Sequence, residues 1–317
     1  MTSENKNIIP IAFAFGSDWM LPACVCISSL LSSAEPNTFY DIFILHSPDD
    51  KLDRDRLSIV ANHYGNCEIH YREVDHVFDS SYEVRGIKTM AYYRLLIPEL
   101  IPEYDKILYS DVDVVFRSDL SHYYAIDLGD NYVAGVDSLA HFSKGLTKYY
   151  SQVLKRPSKG IIYSGNIIIN SQRMREVGIV STFRKMAGNK YLYQDMDILN
   201  IVCDRKIKYL EPSFCVTSFF MEYVRHNYDA LLKIWNDEQI KQALSCGIVH
   251  YNGQKPWKGY CMNFDIWWEA YRNSPVFDNS YYYDFYFNKM IEYDLLPLWK
   301  RFKILIRYFI YGKKTKL

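Results

Sequence analysis

The nine residues Ile107-Leu108-Tyr109-Ser110-Asp111-Val112-Asp113-Val114-Val115 decide how the rest of this sequence is interpreted. An apolar strand runs directly into two carboxylates spaced by one residue, and in extended backbone such side chains point to the same side. Two anions placed together repel each other unless a cation or another partner lies between them. Hard oxygen ligands favour magnesium, calcium or manganese, which bridge diphosphates readily. The stretch therefore predicts a metal and phosphate site at the end of a buried strand.

Segments typical of strands and of helices alternate through the part of the chain that precedes this stretch. Because a parallel crossover needs about a dozen residues to return, the alternation predicts a parallel sheet with helices on both faces, an architecture suited to nucleotides. The predicted strands are Ile8–Phe15, Phe39–Leu45, Cys67–Val74 and Lys106–Tyr109, and the predicted helices are the stretch after Pro22 up to Leu31, Lys51–His63 and Met90–Leu96.

The second half of the chain is less regular and contains no internal repeat or low-complexity linker. Its segment Asn263–Tyr293 is dense in aromatic residues. Predicted strands lie at Tyr132–Val136, Ile161–Asn170 and Gly247–Tyr251, and a helix at Asp195–Cys203. We expect one continuous domain over residues 1–294, followed by an extension over residues 295–317.

Composition excludes some classes of protein. The 317 residues carry 37 Lys+Arg and 37 Asp+Glu, and this zero formal charge argues against a general nucleic-acid binder. Seven scattered cysteines without a C-x-x-C pair favour reduced core residues in a cytosolic chain over a disulfide framework. The apolar run Ile8–Phe15 is too short for a membrane span, and no cationic region precedes it, so no signal peptide is expected.

The extension Leu295–Leu317 carries seven cations, and no acid follows Asp294, so the remaining residues have a formal charge of −7. A helical arrangement gathers its apolar residues on one face beside a cationic arc, which predicts a helix lying in the interface of an anionic membrane. The alternative is a terminal helix packed on its own domain. The cations are Lys300, Arg301, Lys303, Arg307, Lys313, Lys314 and Lys316, and the apolar residues are Leu295, Leu298, Trp299, Phe302, Leu305, Ile306, Phe309 and Ile310.

Three further segments strengthen the interpretation of the acidic pair: KTMAYYRL at Lys88–Leu95, YLYQDMDILN at Tyr191–Asn200 and HYNGQKPW at His250–Trp257. In this order the motifs resemble the retaining glycosyltransferases of family 8, which include bacterial lipooligosaccharide galactosyl- and glucosyltransferases. The resemblance covers roughly residues 8–257. It implies a GT-A type α/β domain with a mainly parallel mixed sheet flanked by helices, a UDP-sugar donor, and manganese, with magnesium as the other candidate.

The resemblance assigns the metal ligands. Asp111 and Asp113 match the D-x-D motif that binds the metal and, with Val112 between them, the diphosphate of the donor. His250 matches the third metal ligand; without the resemblance it would be interpreted as a structural histidine. Two carboxylates and a neutral imidazole suit manganese and leave coordination positions for phosphate oxygens.

The resemblance also assigns four residues around the donor. Lys255 and Gly253 match the loop that closes on the diphosphate, although they are one residue closer together than in the family pattern. Arg94 matches the arginine that reaches the donor phosphate and sugar, the alternative being a surface ion pair. Asp195 would hold donor hydroxyls, the alternative being an acid that only stabilises a helix N-terminus.

The turn after the first predicted strand matches the uridine-binding turn through Ala14, Gly16, Asp18 and Trp19. Trp19 stands where the family often has a stacking tyrosine, so an indole over the uracil is expected. Gly16 stands where many members have an acid, which weakens the case for a side-chain contact to the base.

Two departures bear on the donor sugar. Tyr163 and Met196 replace the asparagine and glutamine that lie near the sugar in the family. Because Met196 cannot be a nucleophile in ordinary glycosyl transfer, we expect front-face substitution assisted by the leaving phosphate.

These expectations combine into one predicted function. The chain would move a hexose, galactose or glucose, from a UDP-sugar to a hydroxyl of a glycan acceptor such as lipopolysaccharide, or another lipid-linked or surface glycan. It would work at the cytoplasmic face of a bacterial membrane and bind no nucleic acid. The alternatives are a metal-dependent phosphohydrolase or nucleotidyltransferase, and a degenerate family member that only binds nucleotide or glycan.

Overall fold

The computed structural model describes residues 6–78, 81 and 89–311, with the side chains of Arg307, Tyr308 and Tyr311 excepted. Lys88, Lys313, Lys314 and Lys316 lie outside the described residues. Within them a seven-stranded sheet has the order β3-β2-β1-β4-β7-β6-β8, and a small sheet the order β5-β10-β9. The strands are β1 Asn7–Ala14, β2 Thr38–His46, β3 Cys67–Glu73, β4 Lys106–Ser110, β5 Val114–Val115, β6 Val133–Asp137, β7 Ile162–Asn170, β8 Ile207–Tyr209, β9 Val216–Thr217 and β10 Val249–His250.

The helices follow the strands in an α/β alternation. In chain order they are α1 Met20–Ser32, α2 Arg54–Tyr64, α3 Ile97–Leu100, α4 Ser121–Tyr124, α5 Lys144–Gln152, α6 Ser171–Glu176, α7 Ile179–Met186, α8 Gln194–Val202, α9 Ser218–His226, α10 Tyr228–Leu231, α11 Asp237–Cys246, α12 Phe264–Arg272, α13 Asn279–Asp294 and α14 Leu298–Tyr311. Short 3-10 segments lie at Ser17–Trp19, His76–Phe78, Thr89–Leu96, Ala140–Phe142 and Pro212–Phe214.

The mainly parallel mixed sheet predicted from the sequence is confirmed. β1 pairs in parallel with both β2 and β4, whereas β7 runs antiparallel to both β4 and β6. Strand direction is decided by tertiary pairing, so alternation alone could not reveal the reversal of β7. The reversal matters because it pairs Asn166 with Ser110 and places Gly165 beside Asp111.

The predicted α-helix at Met90–Leu96 is a 3-10 helix over Thr89–Leu96 instead. A 3-10 helix has three residues per turn, which places side chains three positions apart above one another. Here it lets the buried Arg94 donate from Nε to the carbonyl of Ala91, 2.9 Å away. The functional side chain thus depends on the tighter helix.

Helices cover both faces of the main sheet, as the alternation predicts. Along β1, Ile11 and Phe13 belong to a core that includes α1 residues, whereas Ala12 faces a second core that includes α7 and α8 residues. A third, aromatic core packs α12 and α13 against the small sheet around the fully buried Trp267 and Trp268. The dense aromatic segment of the sequence therefore builds a structural layer.

α13 ends at Asp294, and α14 follows after Pro297. The apolar residues of the extension are exposed, from 45% at Leu305 to 85% at Phe309, so this face is not packed on the described part of the domain. The preceding helix α13 also exposes large apolar side chains, namely Tyr283, Phe287, Met290 and Ile291. Among the described helices none is long and apolar enough to cross a membrane.

Candidate active site

The acidic pair lies at the carboxyl end of β4, where the chain bends instead of continuing as the extended strand that we expected. The bend turns the side chain of Val112 into the apolar core, so that only its main chain is available to a ligand. Asp111 and Asp113 nevertheless face one group, the imidazole of His250. Its Nε2 lies 3.6 Å from Oδ2 of Asp111 and 3.2 Å from Oδ1 of Asp113.

The small sheet brings His250 to this point. β10 pairs antiparallel with β5, so that His250 faces Val114, and the amide of Tyr251 donates to the carbonyl of Asp113 at 2.8 Å. The imidazole is only 5% exposed. Burial, which alone would lower the pKa of His250, is outweighed by Asp113, and the pKa is raised to about 10.

Lys255 follows in the loop after β10 and pairs with Asp113 while it also donates to the carbonyl of Tyr251 at 2.6 Å. Burial alone would raise the pKa of Asp113, but Lys255 and His250 hold it well below its usual range. Lys255 and His250 together therefore compensate the charge of the second carboxylate.

Arg94 is buried and joins Asp111 to Asp195, so the alternative of a surface ion pair is wrong. Its Nη2 donates to Oδ1 of Asp111 at 2.7 Å, and its Nε lies 3.2 Å from Oδ2 of Asp195. The two carboxylates raise the pKa of Arg94 above its ordinary value despite burial. Burial raises the pKa of Asp195 to about 6 although Arg94 opposes it, and Oδ2 accepts no hydrogen bond from the described residues.

Asp111, Asp113 and His250 together fit a divalent metal. Their ligand atoms all lie within 4.8 Å of one another, and two carboxylates with an imidazole form a donor set suited to manganese. Gly165 lets β7 pass close to them, since an added Cβ would lie 2.6 Å from Oδ2 of Asp111 and 2.3 Å from Cε1 of His250. A larger residue at this position would therefore displace two of the three side chains.

A second group, Asp41, Glu68 and His70, has similar spacing at the edge of the main sheet. Here Nε2 of His70 already bonds Oδ1 of Asp41 at 2.6 Å, and the hydroxyl of Tyr104 donates to the other oxygen of Asp41. We interpret this group as a hydrogen-bonded cross-strand cluster.

The turn after β1 lies next to the acidic pair. Ala12 of β1 pairs with Tyr109 of β4. Ala14 and Asp111 each lie two residues beyond this pair, so they end neighbouring strands at the same edge of the sheet. Trp19 is half-buried, and the centroid of its ring lies 5.7 Å from Nζ of Lys255. The ring of Trp19 also contacts the ring of Trp257 edge-on.

Gly16 and Asp18 differ in their surroundings. An added Cβ at Gly16 would lie 2.9 Å from a carboxylate oxygen of Asp50, so glycine leaves room for this acid from the loop after β2. Asp18 is exposed in the 3-10 segment. Gly253 has no close contact that requires glycine, since an added Cβ would meet Ser218 at an ordinary 3.6 Å.

The two departures from the family pattern lie near this cluster. Met196 packs with Tyr150, and the following Asp197 accepts hydrogen bonds from Tyr149 and Tyr150. The hydroxyl of Tyr163 accepts from Thr217 at 3.4 Å.

Sequence reasoning missed four residues that shape the site. Gly165 lets β7 pack closely against Asp111 and His250, Tyr109 donates to Asp111 at 2.9 Å, the carbonyl of Ser164 accepts from Arg94 at 2.7 Å, and Asp50 lies beside Gly16. Two small residues in succession within the apolar strand β7 were the available signal for Ser164 and Gly165. The contact of Asp50 had no local signal, because its partner is more than thirty residues away.

Comparison with known proteins extends these observations. A family model described as glycosyl transferase family 8 matches residues 10–261. A lipopolysaccharide 1,2-glucosyltransferase of Escherichia coli is 22% identical over 293 residues, which cover 88% of this chain and 79% of that protein. A probable glycosyl transferase, Gly, of Streptococcus gordonii is 26% identical over 210 residues, 64% of this chain but 27% of that larger protein.

Solved structures show the same fold. The galactosyltransferase LgtC, in complex with donor and acceptor sugar analogues, superimposes with a TM-score of 0.69 at 23% identity and covers 86% of this chain and 99% of that chain. The apo structure of the bifunctional WbbM gives 0.66 at 22% identity, covering 85% of this chain and 50% of that one. The GT-A fold expected from the sequence is thereby confirmed.

Proposed function

The chain belongs to glycosyl transferase family 8, and from that premise we propose that it transfers a hexose, galactose or glucose, from a UDP-sugar to a hydroxyl of a bacterial surface glycan such as lipopolysaccharide, with retention of configuration. The observation that carries the proposal is the convergence of three metal-ligating side chains with two cations. Asp111, Asp113 and His250 meet within 4.8 Å, and Arg94 and Lys255 pair with the two acids.

We assign Asp111, Asp113 and His250 as the ligands of manganese, or of magnesium. The bound ion would supply a positive charge that stabilises the diphosphate as it departs. With a divalent cation compensating the charge of Asp113, Lys255 would be available to pair with a phosphate oxygen of the donor. Arg94 is held by Asp111 and by the carbonyl of Ser164 at 2.7 Å, which fixes its guanidinium where it can stabilise further negative charge.

The sugar would lie against Asp195. Its Oδ2 is buried, and its contact in the described part of the chain is the ion pair with Nε of Arg94 at 3.2 Å, so a donor hydroxyl would supply a hydrogen bond that it does not accept here. Met196 has no nucleophilic atom for glycosyl transfer, and we therefore assign substitution on the same face as the leaving phosphate, without a covalent enzyme intermediate. The uracil would stack on Trp19, and Asp50 offers a carboxylate in the place that Gly16 leaves open.

We place the acceptor beside α5. A cavity of about 470 Å³ is lined by His141, Phe142, Lys144, Thr147, Lys148 and Ser151. Phe142 stacks on Tyr223 with centroids 4.8 Å apart, an arrangement suited to a sugar ring. Tyr149 on the same helix reaches Asp197, which places this helix next to the proposed donor sugar.

We further propose that α14 holds the enzyme on the inner face of the cell membrane. The support is its exposed apolar side chains together with the exposed Lys300 and Lys303. This would bring the active site to a lipid-linked acceptor.

A panel of UDP-sugars tests the transferase proposal. Purified protein is incubated with each donor, Mn²⁺ and glycan acceptors, and UDP release and acceptor mass are measured. We expect turnover with a UDP-hexose. The double variant Asp111→Asn, Asp113→Asn should abolish this turnover, whereas the control variant Asp55→Asn, at an exposed acid, should retain it. Undiminished transfer by the double variant would refute the metal assignment. Hydrolysis without any acceptor would favour a phosphohydrolase, and binding without UDP release a degenerate member.

The membrane proposal is tested by partitioning onto liposomes that contain anionic lipid. Phe302→Ser with Phe309→Ser should release the protein, since about 25 cal/mol per Å² of apolar burial is lost at each position. Val153→Ser, at an exposed apolar residue on another face, is the control. Unchanged partitioning of the double variant would refute the assignment without affecting the transferase proposal.

A further inference from the structure

A thiol lies behind the imidazole of His250. Sγ of Cys215, in the residue before β9, is 3.6 Å from Nδ1 of His250, on the side opposite to the two acids. Cys215 is 1% exposed, and both sulfur and imidazole are removed from solvent. The contact therefore lies in the protein interior behind the candidate metal ligands, where solvent does not compete with it.

The contact continues as a chain of buried hydrogen bonds. Sγ of Cys215 is 3.7 Å from Oδ1 of Asn166, whose Nδ2 is 3.2 Å from Oγ of Ser110. Oγ of Ser110 is in turn 2.9 Å from the main-chain carbonyl of Asp111. The chain thus links His250 on β10 to the backbone of the acidic pair through β9, β7 and β4.

The chemistry of the end groups fixes the direction of every bond. The carbonyl of Asp111 can only accept, so the hydroxyl of Ser110 donates to it and accepts from the amide of Asn166. This leaves the amide oxygen of Asn166 to accept the S–H of Cys215. The sulfur lone pair then faces Nδ1 of His250 and accepts its N–H, so that the nitrogen that would lose its proton to bind a metal is Nε2, on the side of Asp111 and Asp113.

We propose that Cys215 is a positioning residue of the metal site, which holds His250 in the tautomer that ligates through Nε2. The inference rests on the proposed metal site. Outer partners of this kind orient ligating histidines and typically change metal affinity by about 10–100-fold when removed. A neutral thiol is a weak acceptor, so we expect the lower end of this range.

The test measures Mn²⁺ affinity directly, by titration of the full chain in the presence of UDP with free Mn²⁺ followed by electron paramagnetic resonance. Cys215→Ala should weaken binding about tenfold. Cys215→Ser should fall between Ala and wild type, because it retains a donor and an acceptor on a shorter side chain. Cys203→Ala is the matched control, since Cys203 is a fully buried free cysteine in the second core. It should lower the melting temperature but leave Mn²⁺ affinity unchanged.

The outcomes separate this inference from the metal assignment. Wild-type protein that binds no Mn²⁺ would refute the metal site and the inference together. Binding by wild type and equally by Cys215→Ala would refute the inference alone, as would an equal loss in Cys203→Ala. If Cys215→Ala does not fold, Cys215→Ser decides, because unchanged affinity in that variant also overturns the proposal.

Discussion

Substitution of Gly165 by alanine adds one methyl group at the most crowded point of the site. The new Cβ would lie 2.3 Å from Cε1 of His250 and 2.6 Å from Oδ2 of Asp111. Carbon atoms in contact are separated by about 3.5 Å, so the side chain of His250 and strand β7 must move apart by about 1 Å. Neither metal-ligating residue moves freely, because Asp111 is held by Arg94 and Tyr109, and His250 is held by the pairing of β10 with β5.

A displacement of about 1 Å at reacting groups costs about 100-fold in turnover, and overpacking costs about 1–3 kcal/mol of stability. We therefore expect Gly165→Ala to remain folded while UDP release with Mn²⁺ and the preferred UDP-sugar falls about 100-fold. The control is Gly188→Ala, because an added Cβ there meets no described atom within 4 Å. Wild-type turnover and Mn²⁺ affinity in Gly165→Ala would refute the view that the positions of Asp111 and His250 require glycine here.

Three other substitutions test separate parts of the structure. Asp195→Asn should abolish transfer yet stabilise the protein above pH 7 by up to about 3 kcal/mol. The pKa of Asp195 in the folded protein is about 6, above the ordinary 3.8. The stability that the neutral acid contributes below about pH 4 is therefore lost as the pH rises through 6, whereas asparagine stays neutral. Urea unfolding at pH 4.5 and 7.5 measures this, and an equal difference at both values would contradict it. Arg117→Leu should cost about 2–3 kcal/mol of unfolding free energy, because its guanidinium donates to the carbonyls of Ala243, Leu244 and Gly247 at the end of α11; the exposed Arg184→Leu should cost under about 1 kcal/mol. Trp19→Leu should weaken the binding of UDP about tenfold because stacking on the uracil is lost, and calorimetry measures this affinity. Trp299→Leu in α14 is the control and should leave the affinity unchanged. Equal losses in both variants would count against the uridine assignment.

The sequence predicted the elements around the site well, because strand runs and their turns are local signals. β1, β4 and the acids after β4 followed from apolar runs that end in polar residues, and His250 followed from a motif. The 3-10 form of Thr89–Leu96 did not, since its geometry serves a contact between Arg94 and Asp111 that forms only in the folded chain.

Long-range contacts account for the rest. Cys215 meets His250 across 35 residues and Asn166 across 49, and no spacing within the sequence encodes that meeting. The exposed apolar side chains of α13 were also hidden, because the aromatic residues of this helix serve two purposes. Phe285 packs against Trp268, whereas Phe287, two positions later, faces outward.

The small sheet connects the site to distant parts of the chain. His250 and Lys255 contact Asp113 from about 140 residues further along the chain, so these ion pairs fasten two distant parts of one polypeptide at a single point. Closing a loop of that length removes much conformational freedom from the unfolded chain. An ion bound by the same ligands would act as a removable cross-link. Chelation should therefore loosen the carboxyl-terminal layers first, which would couple the supply of metal to the lifetime of the folded enzyme as well as to its turnover.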